Sequence, residues 1–169
     1  MYCNLQESGW AHAMSEQCLP GEAAQGIADL STPNTIRLKD PAALQAALSA
    51  APFHRWLGIQ VAAVSHDRVE LTMPWRDELV SNPVRQTAHG GILASLVDLS
   101  GFYALLSTGV AVRATADLRV DYHRAATPSA LRTRSRVVKT GRRICVADTE
   151  VLDPTGILLA SGRGAYLTE

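Results

Sequence analysis

Apolar positions recur along this chain with two different periods, and the changes of period mark its elements. After Asp40-Pro41, the residues Leu44, Ala47, Leu48 and Ala51 fall three and four apart, which predicts an amphipathic helix with Asp40 as N-cap and Pro41 in its first turn. Pro52 ends that helix, and Phe53 to Leu57 form a short second turn before Gly58. Ile59–Val64 and Arg68–Met73 flank the turn cluster Ser65-His66-Asp67 and predict a β-hairpin, with His54 and His66 as surface or turn residues. From Pro74 to Ala88 the chain is polar and punctuated by Asn82-Pro83, so a loop is expected. Beyond Thr108-Gly109 the period becomes two. Thr115–His123 alternates, with Leu118, Val120 and Tyr122 on the inner face. Leu131–Val138 sets Arg132, Arg134 and Arg136 on one face, Lys139 to Arg142 turns into Arg143–Leu152, and Asp153-Pro154-Thr155-Gly156 turns into Ile157–Leu167.

Between the two sets of strands lies residues 89–107, the stretch that organises the rest. On a helical wheel Ile92, Leu96, Leu99 and Tyr103 share one face, Leu93, Val97 and Ala104 lie beside them, and Ala94, Asp98, Gly101, Phe102 and Leu105 lie opposite. No solvated face is present, so the helix is expected to be buried all round, and it is too short and too polar to span a bilayer. Its single charge is Asp98. An unpaired carboxylate in a core is costly, so Asp98 requires a partner or a function. At the entrance, His89-Gly90-Gly91 presents backbone N–H groups that have no partner inside the helix, at the positive end of its dipole. Such an end suits a developing oxyanion, and two glycines serve equally to let a loop turn. Gly90 and Asp98 are about 12 Å apart along one helix. An oxyanion donor and a base or nucleophile must both come within roughly 3 Å of one carbonyl. If both residues are catalytic, they act from two antiparallel copies of the helix, and the enzyme is an obligate dimer.

The order helix, two strands, long buried helix, four strands describes an α+β chain in which an antiparallel sheet wraps one helix. A length of 169 residues, 47% of them apolar, suits one such domain over residues 39–169, behind a weakly ordered extension, 1–38, in which Met14 is an alternative start. The net charge is zero but uneven. Residues 1–36 carry four acids and no Lys or Arg, whereas 110–145 carry nine bases against two acids. That block suits a small phosphate-bearing ligand. Along a strand, Arg132, Arg134 and Arg136 stand about 7 Å apart and read equally as a solvated face, while Lys139, Arg142 and Arg143 converge at a turn. Without interleaved aromatics or a recognised motif, nucleic acid is not an expected partner. Cys3, Cys18 and Cys145 form neither a disulfide framework nor a zinc pair, and the N-terminus lacks a secretory signal, which points to the cytoplasm. The serines from Ser95 to Ser107 lack a base at triad spacing.

The run His89-Gly90-Gly91 followed by Ala94-Ser95-Leu96-Val97-Asp98 carries a resemblance, supported by Arg76-Asp77-Glu78-Leu79 upstream and Thr115 to Tyr122 downstream. From about Asp40 onward the chain resembles the hotdog-fold acyl-CoA thioesterases of the phenylacetate-degradation (PaaI-like) type. The resemblance implies a sheet wrapped around the central helix, and acyl-CoA lying in the groove of a homodimer that pairs again into a tetramer. It places the reacting acid on Asp98, as general base for water or as nucleophile, and the oxyanion donor on the Gly90 backbone amide. The hydroxyl of Thr115 would hold the water, and the substrate-positioning asparagine falls on Asn82, with Gln86 as second candidate. His89 and Gly91 would shape the entrance, with the His89 ring bonding backbone rather than reacting. Lys139, Arg142 and Arg143 would meet the CoA phosphates. Tyr103 and Trp56 would be core or pocket wall. Hydrolysis of acyl-CoA to acid and CoA would need no metal and no redox cofactor. A hotdog hydratase or dehydratase, or a non-catalytic acyl-CoA-binding module, are the alternatives on the same fold.

Overall fold

The computed structural model describes residues 39–168; the expected extension 1–38, with Met14, Cys3 and Cys18, lies outside the described residues. Two short helices open it, α1 (Pro41–Ala50) and α2 (Pro52–Leu57). Asp40 caps α1 by accepting the Ala43 N–H at 3.1 Å, and Leu44 and Leu48 of its stripe are fully buried. Gly58 closes α2 in the left-handed region, φ 69°, which a side chain would resist. The hairpin β1 (Gln60–Ser65) and β2 (Arg68–Met73) follows, and the expected loop contains a 3-10 turn, Asp77–Leu79, and a small ladder of β3 (Val80–Asn82) and β4 (Thr87–Ala88). The long helix α3 spans Gly90–Ser107, and β5 (Ala114–Tyr122), β6 (Leu131–Lys139), β7 (Ile144–Leu152) and β8 (Leu158–Leu167) complete the chain.

Six strands form one antiparallel sheet in the order β1-β2-β6-β7-β8-β5, and α3 lies across its inner face, the hotdog arrangement. Leu93, Leu96, Val97 and Ala104 of the helix pack with Val69, Leu71, Leu131, Val151 and Ala160 of the sheet, all buried. The polar groups trapped between the layers are paired: Ser100 Oγ donates to Thr133 Oγ1 at 2.8 Å, and Thr149 Oγ1, itself 2.7 Å from Ser135 Oγ, donates to the Val97 carbonyl at 3.2 Å. Tyr166 is fully buried between two glycines, and a methyl on either Gly101 or Gly164 would overlap its hydroxyl. Gly101→Ala is therefore expected to lower stability by about 1–3 kcal/mol through overpacking, measured as a drop in thermal midpoint.

Four expectations change. Helix α3 is not covered all round: Ser95, Asp98, Phe102 and Leu106 lie half-buried along one stripe, beside an exposed Gly91. A single sheet reaches only part of a helix's circumference, so an apolar stripe remains facing away from it. Tyr122, expected beside Leu118 and Val120 on the inner face, is 56% exposed, because β5 is an edge strand whose end passes the helix entrance. His54 is not a surface residue. Its Nδ1 lies 3.2 Å from the Leu48 carbonyl and 3.4 Å from the Tyr103 hydroxyl, and burial lowers its pKa, against opposing contributions from the Leu48 bond and the Asp98 charge. Trp56 is not core either, being 40% exposed, stacked on Phe53 and capped by the Arg76 guanidinium.

Candidate active site

Asp98 stands at the middle of the open stripe of α3, and its Oδ1 accepts the Thr115 hydroxyl at 2.7 Å. Strand β5 carries a bulge between Thr115 and Asp117, and a bulge at such a point re-aims a side chain out of the regular pleat. The backbone beneath Asp98 is fixed as well. Its carbonyl accepts the Tyr166 hydroxyl at 2.8 Å, and burial, then the Asp98 charge, raises the pKa of that phenol and keeps it protonated. Tyr103, one of the expected core residues, is likewise pushed up to about 12 by burial. Residue 98 is thus held from the sheet side by two hydroxyls, Thr115 on the carboxylate and Tyr166 on the backbone carbonyl.

The entrance of α3 accounts for its amides one by one. The Gly91 N–H donates to His89 Nδ1 at 2.9 Å, and the Ile92 N–H donates to the His89 carbonyl at 2.9 Å. His89 is therefore the N-cap, and an Nδ1 that accepts places the ring proton of the neutral imidazole on Nε2. The loop is pinned on both sides, by Ala88 N–H on the Ala126 carbonyl at 3.0 Å and His89 N–H on the Leu79 carbonyl at 2.8 Å. Among the described residues, the Gly90 N–H has no acceptor. It borders a hollow of about 320 Å³ lined also by Leu93, Tyr122, His123, Arg124 and Ala126. Gly90 and Asp98 sit on one unbroken helix, so the separation of about 12 Å holds in the folded chain.

Asn82 and Gln86 lie at an exposed turn. Asn82 Oδ1 accepts the N–H groups of Val84 at 3.1 Å and Arg85 at 2.9 Å, and Gln86, at φ 51°, donates from Nε2 to the Pro83 carbonyl at 2.8 Å. Both side chains shape the β3–β4 turn. Lys139, Arg142 and Arg143 are exposed at the β6–β7 turn, with no ion pair among the described residues. The carbonyls of Arg142 and Arg143 are held by Thr168. That turn stands at the Thr115 end of the sheet: Thr115, Tyr166 and Cys145 form one cross-strand row, which spans about 10 Å.

A second hollow, about 740 Å³, lies on the outer face of the sheet, away from α3. The arginines on this face of the sheet are matched by acids: Arg132 and Arg134 approach Glu70 at 3.5 and 3.7 Å, while Arg136 and Arg163 approach Asp148 at 3.3 and 2.6 Å. The arginine ladder is thus a solvated face with its own counter-ions, whose pairs contribute little to stability. The expectation that this helix is too short and too polar to span a bilayer does not hold: α3 passes by length and composition, and 56% of it is buried inside the domain, as in the core helix of a globular fold. Two tyrosines escaped the sequence reading. Tyr166 left a trace in the small residues Gly101 and Gly164, which reserve space for a large ring, whereas nothing local marks the role of Tyr122.

Residues 85–160 match the family model of the thioesterase superfamily. A solved structure of a protein from that superfamily superposes with a TM-score of 0.68 at 46% identity, covering 72% of this chain and 92% of its own. The Escherichia coli PaaI protein of the phenylacetic acid degradation operon superposes with a TM-score of 0.61 at 27% identity, over 67% of this chain and 85% of that one. The medium/long-chain acyl-CoA thioesterase YigI of Escherichia coli is 25% identical over 131 residues, 69% of this chain and 84% of the relative.

Proposed function

The chain belongs to the thioesterase superfamily as a PaaI-like hotdog thioester hydrolase, and from that premise we propose that it hydrolyses acyl-CoA to free acid and CoA at a site shared by two copies. The observation that carries this reading is the pairing on α3 of one free entrance amide, Gly90, with one half-open carboxylate, Asp98, too far apart to serve one carbonyl alone. The open stripe of α3 and the outer edge of β5, unpaired among the described residues, support this reading as surfaces suited to a second copy. An antiparallel copy brings the Gly90 amide of one chain toward the Asp98 of the other.

In this site Asp98 takes a proton from water as it attacks the thioester carbon, or attacks that carbon itself to form an anhydride that water then opens. Thr115 orients the carboxylate in either route. The carbonyl oxygen becomes anionic against the Gly90 N–H, the carbon–sulfur bond breaks, and CoA leaves as the thiolate and takes up a proton. Asn82, placed at the loop turn, retains an amide group to offer substrate. Release of free thiol from acyl-CoA by the purified protein tests the function. Binding without thiol release would leave a CoA-binding module, and water addition to an enoyl-CoA a hydratase.

Lys139, Arg142 and Arg143 are the cations we assign to the CoA phosphates, because among the described residues they have no ion pair and they stand on one exposed turn at the Asp98–Thr115 end of the sheet. Arg142→Ala combined with Arg143→Ala is expected to raise KM for acyl-CoA by roughly tenfold, the worth of lost charge-assisted hydrogen bonds, and to spare a short acyl thioester lacking the nucleotide. Equal losses on both substrates would point to damage at the turn that Thr168 holds.

A further inference from the structure

Tyr122 ends strand β5 beside the entrance of α3, and its hydroxyl donates to the Gly90 carbonyl at 3.1 Å. The N–H at the other end of that same peptide unit, that of Gly91, donates to His89 Nδ1 at 2.9 Å. The Gly90–Gly91 peptide is therefore gripped at both of its polar atoms by side chains from different elements. The grip falls where it matters mechanically. Two consecutive glycines have more backbone freedom than any other pair, and the first turn of a helix frays most easily. The Gly90 N–H belongs to the peptide just before the gripped one, so its direction follows the Gly90 dihedrals that the grip sets. The Tyr122 ring also stands against Gly90: a Cβ there would come within 3.3 Å of Tyr122 Cε1. Yet the tyrosine is 56% exposed on an edge strand, so folding has little need of its hydroxyl.

We propose that Tyr122 is a positioning residue of the hydrolysis: by holding the Gly90 carbonyl against His89 on Gly91, it keeps the Gly90 N–H aimed at the thioester oxygen as that oxygen becomes anionic. The proposal rests on the reading of Gly90 as oxyanion donor. Tyr122 itself touches no reacting atom and acts through the glycine. A donor left to wander costs the transition state more than the bound substrate, because only the anionic oxygen depends on a fixed direction.

The test uses the full chain and a panel of acyl-CoA substrates read by thiol release. Tyr122→Phe keeps the ring and deletes the hydroxyl. It is expected to lower kcat about tenfold, with KM within about twofold and the thermal midpoint unchanged. His89→Ala releases the other end of the same peptide. If both groups act on that one unit, the double variant loses less than the product of the two single losses. Unchanged kcat in Tyr122→Phe overturns the proposal, as does a loss that follows the thermal midpoint, or strictly multiplicative effects of the two variants. Gly90→Pro, which deletes the amide, separates the two levels. If it is inactive while Tyr122→Phe is normal, only the role of Tyr122 falls. If it is as active as the parent, the donor reading falls and takes this inference with it.

Discussion

Asp98→Asn is expected to leave a folded protein with unchanged assembly and roughly 10²- to 10⁴-fold lower turnover of acyl-CoA, the range lost with a general base. The amide has the shape of the carboxylate, and its oxygen still accepts the Thr115 hydroxyl that now holds Oδ1 at 2.7 Å. Its neighbours therefore stay in place, including Tyr166 on the backbone carbonyl beneath it. What the amide lacks is the ability to take a proton from water or to attack a thioester carbon. Removing a half-buried charge also relieves desolvation, so the thermal midpoint should not fall. Thiol release measured under saturating substrate, beside a melting curve and a sedimentation profile, checks each part. A variant that turns over at the parent rate would remove Asp98 from the chemistry and leave its bond to Thr115 as a purely structural feature of the helix.

Mixing two inactive variants is expected to restore activity if each site is shared. The partners are Asp98→Asn and Gly90→Pro. Proline is a suitable probe at position 90, because Gly90 is the first residue of α3, where proline is tolerated, and His89 already has the extended backbone, φ −63° and ψ 134°, that a following proline requires. A Cβ there meets the exposed Tyr122 ring first, at 3.3 Å. Gly90→Ala, which adds a carbon and keeps the N–H, controls for that contact and should stay substantially more active than Gly90→Pro. In a mixed dimer one site has both defects and the other has neither. With equal chains and random exchange about half of the dimers are mixed, so the bulk activity should approach about a quarter of the parent's. Chains that are folded and shown to exchange, yet stay inactive together, would contradict the shared site and require the Gly90 amide and Asp98 to serve different carbonyls or different steps.

The sequence by itself determined those features whose causes lie within a few residues. The start of α1 at Asp40-Pro41, the break at Pro52, the hairpin turns at residues 66–67 and 153–156, and the span of α3 all follow from turn chemistry and apolar period, which act locally. The same holds for the argument that Asp98, the one charge on an apolar helix, needs a partner, and for the distance that separates it from Gly90. That the His89 ring bonds backbone was also legible, while its partner, the Gly91 amide, and its place as the cap of α3 came from the fold.

Only the tertiary structure decided which distant groups meet. Thr115 reaches Asp98 across 17 positions, Tyr122 reaches Gly90 across 32, and Tyr166 reaches the Asp98 carbonyl across 68. Alternation assigns Tyr122 to the inner face with Leu118 and Val120. It cannot show that β5 lies at the sheet edge beside β8, where the strand's end passes the helix entrance. Likewise the period of α3 marks every side as apolar, and the number of strands that reach it decides which stripe stays open. His54 lies in a six-residue helix too short to show a period, and it turns inward because α2 packs where the Leu48 carbonyl and the Tyr103 hydroxyl offer its ring two partners. The arginines of β6 announced charge, and the register with β2 and β7 placed Glu70 and Asp148 beside them. Local period and turn chemistry set each element because neighbouring residues share one backbone. Contacts between elements depend on how the sheet orders its strands, a cooperative outcome of packing the whole chain at once.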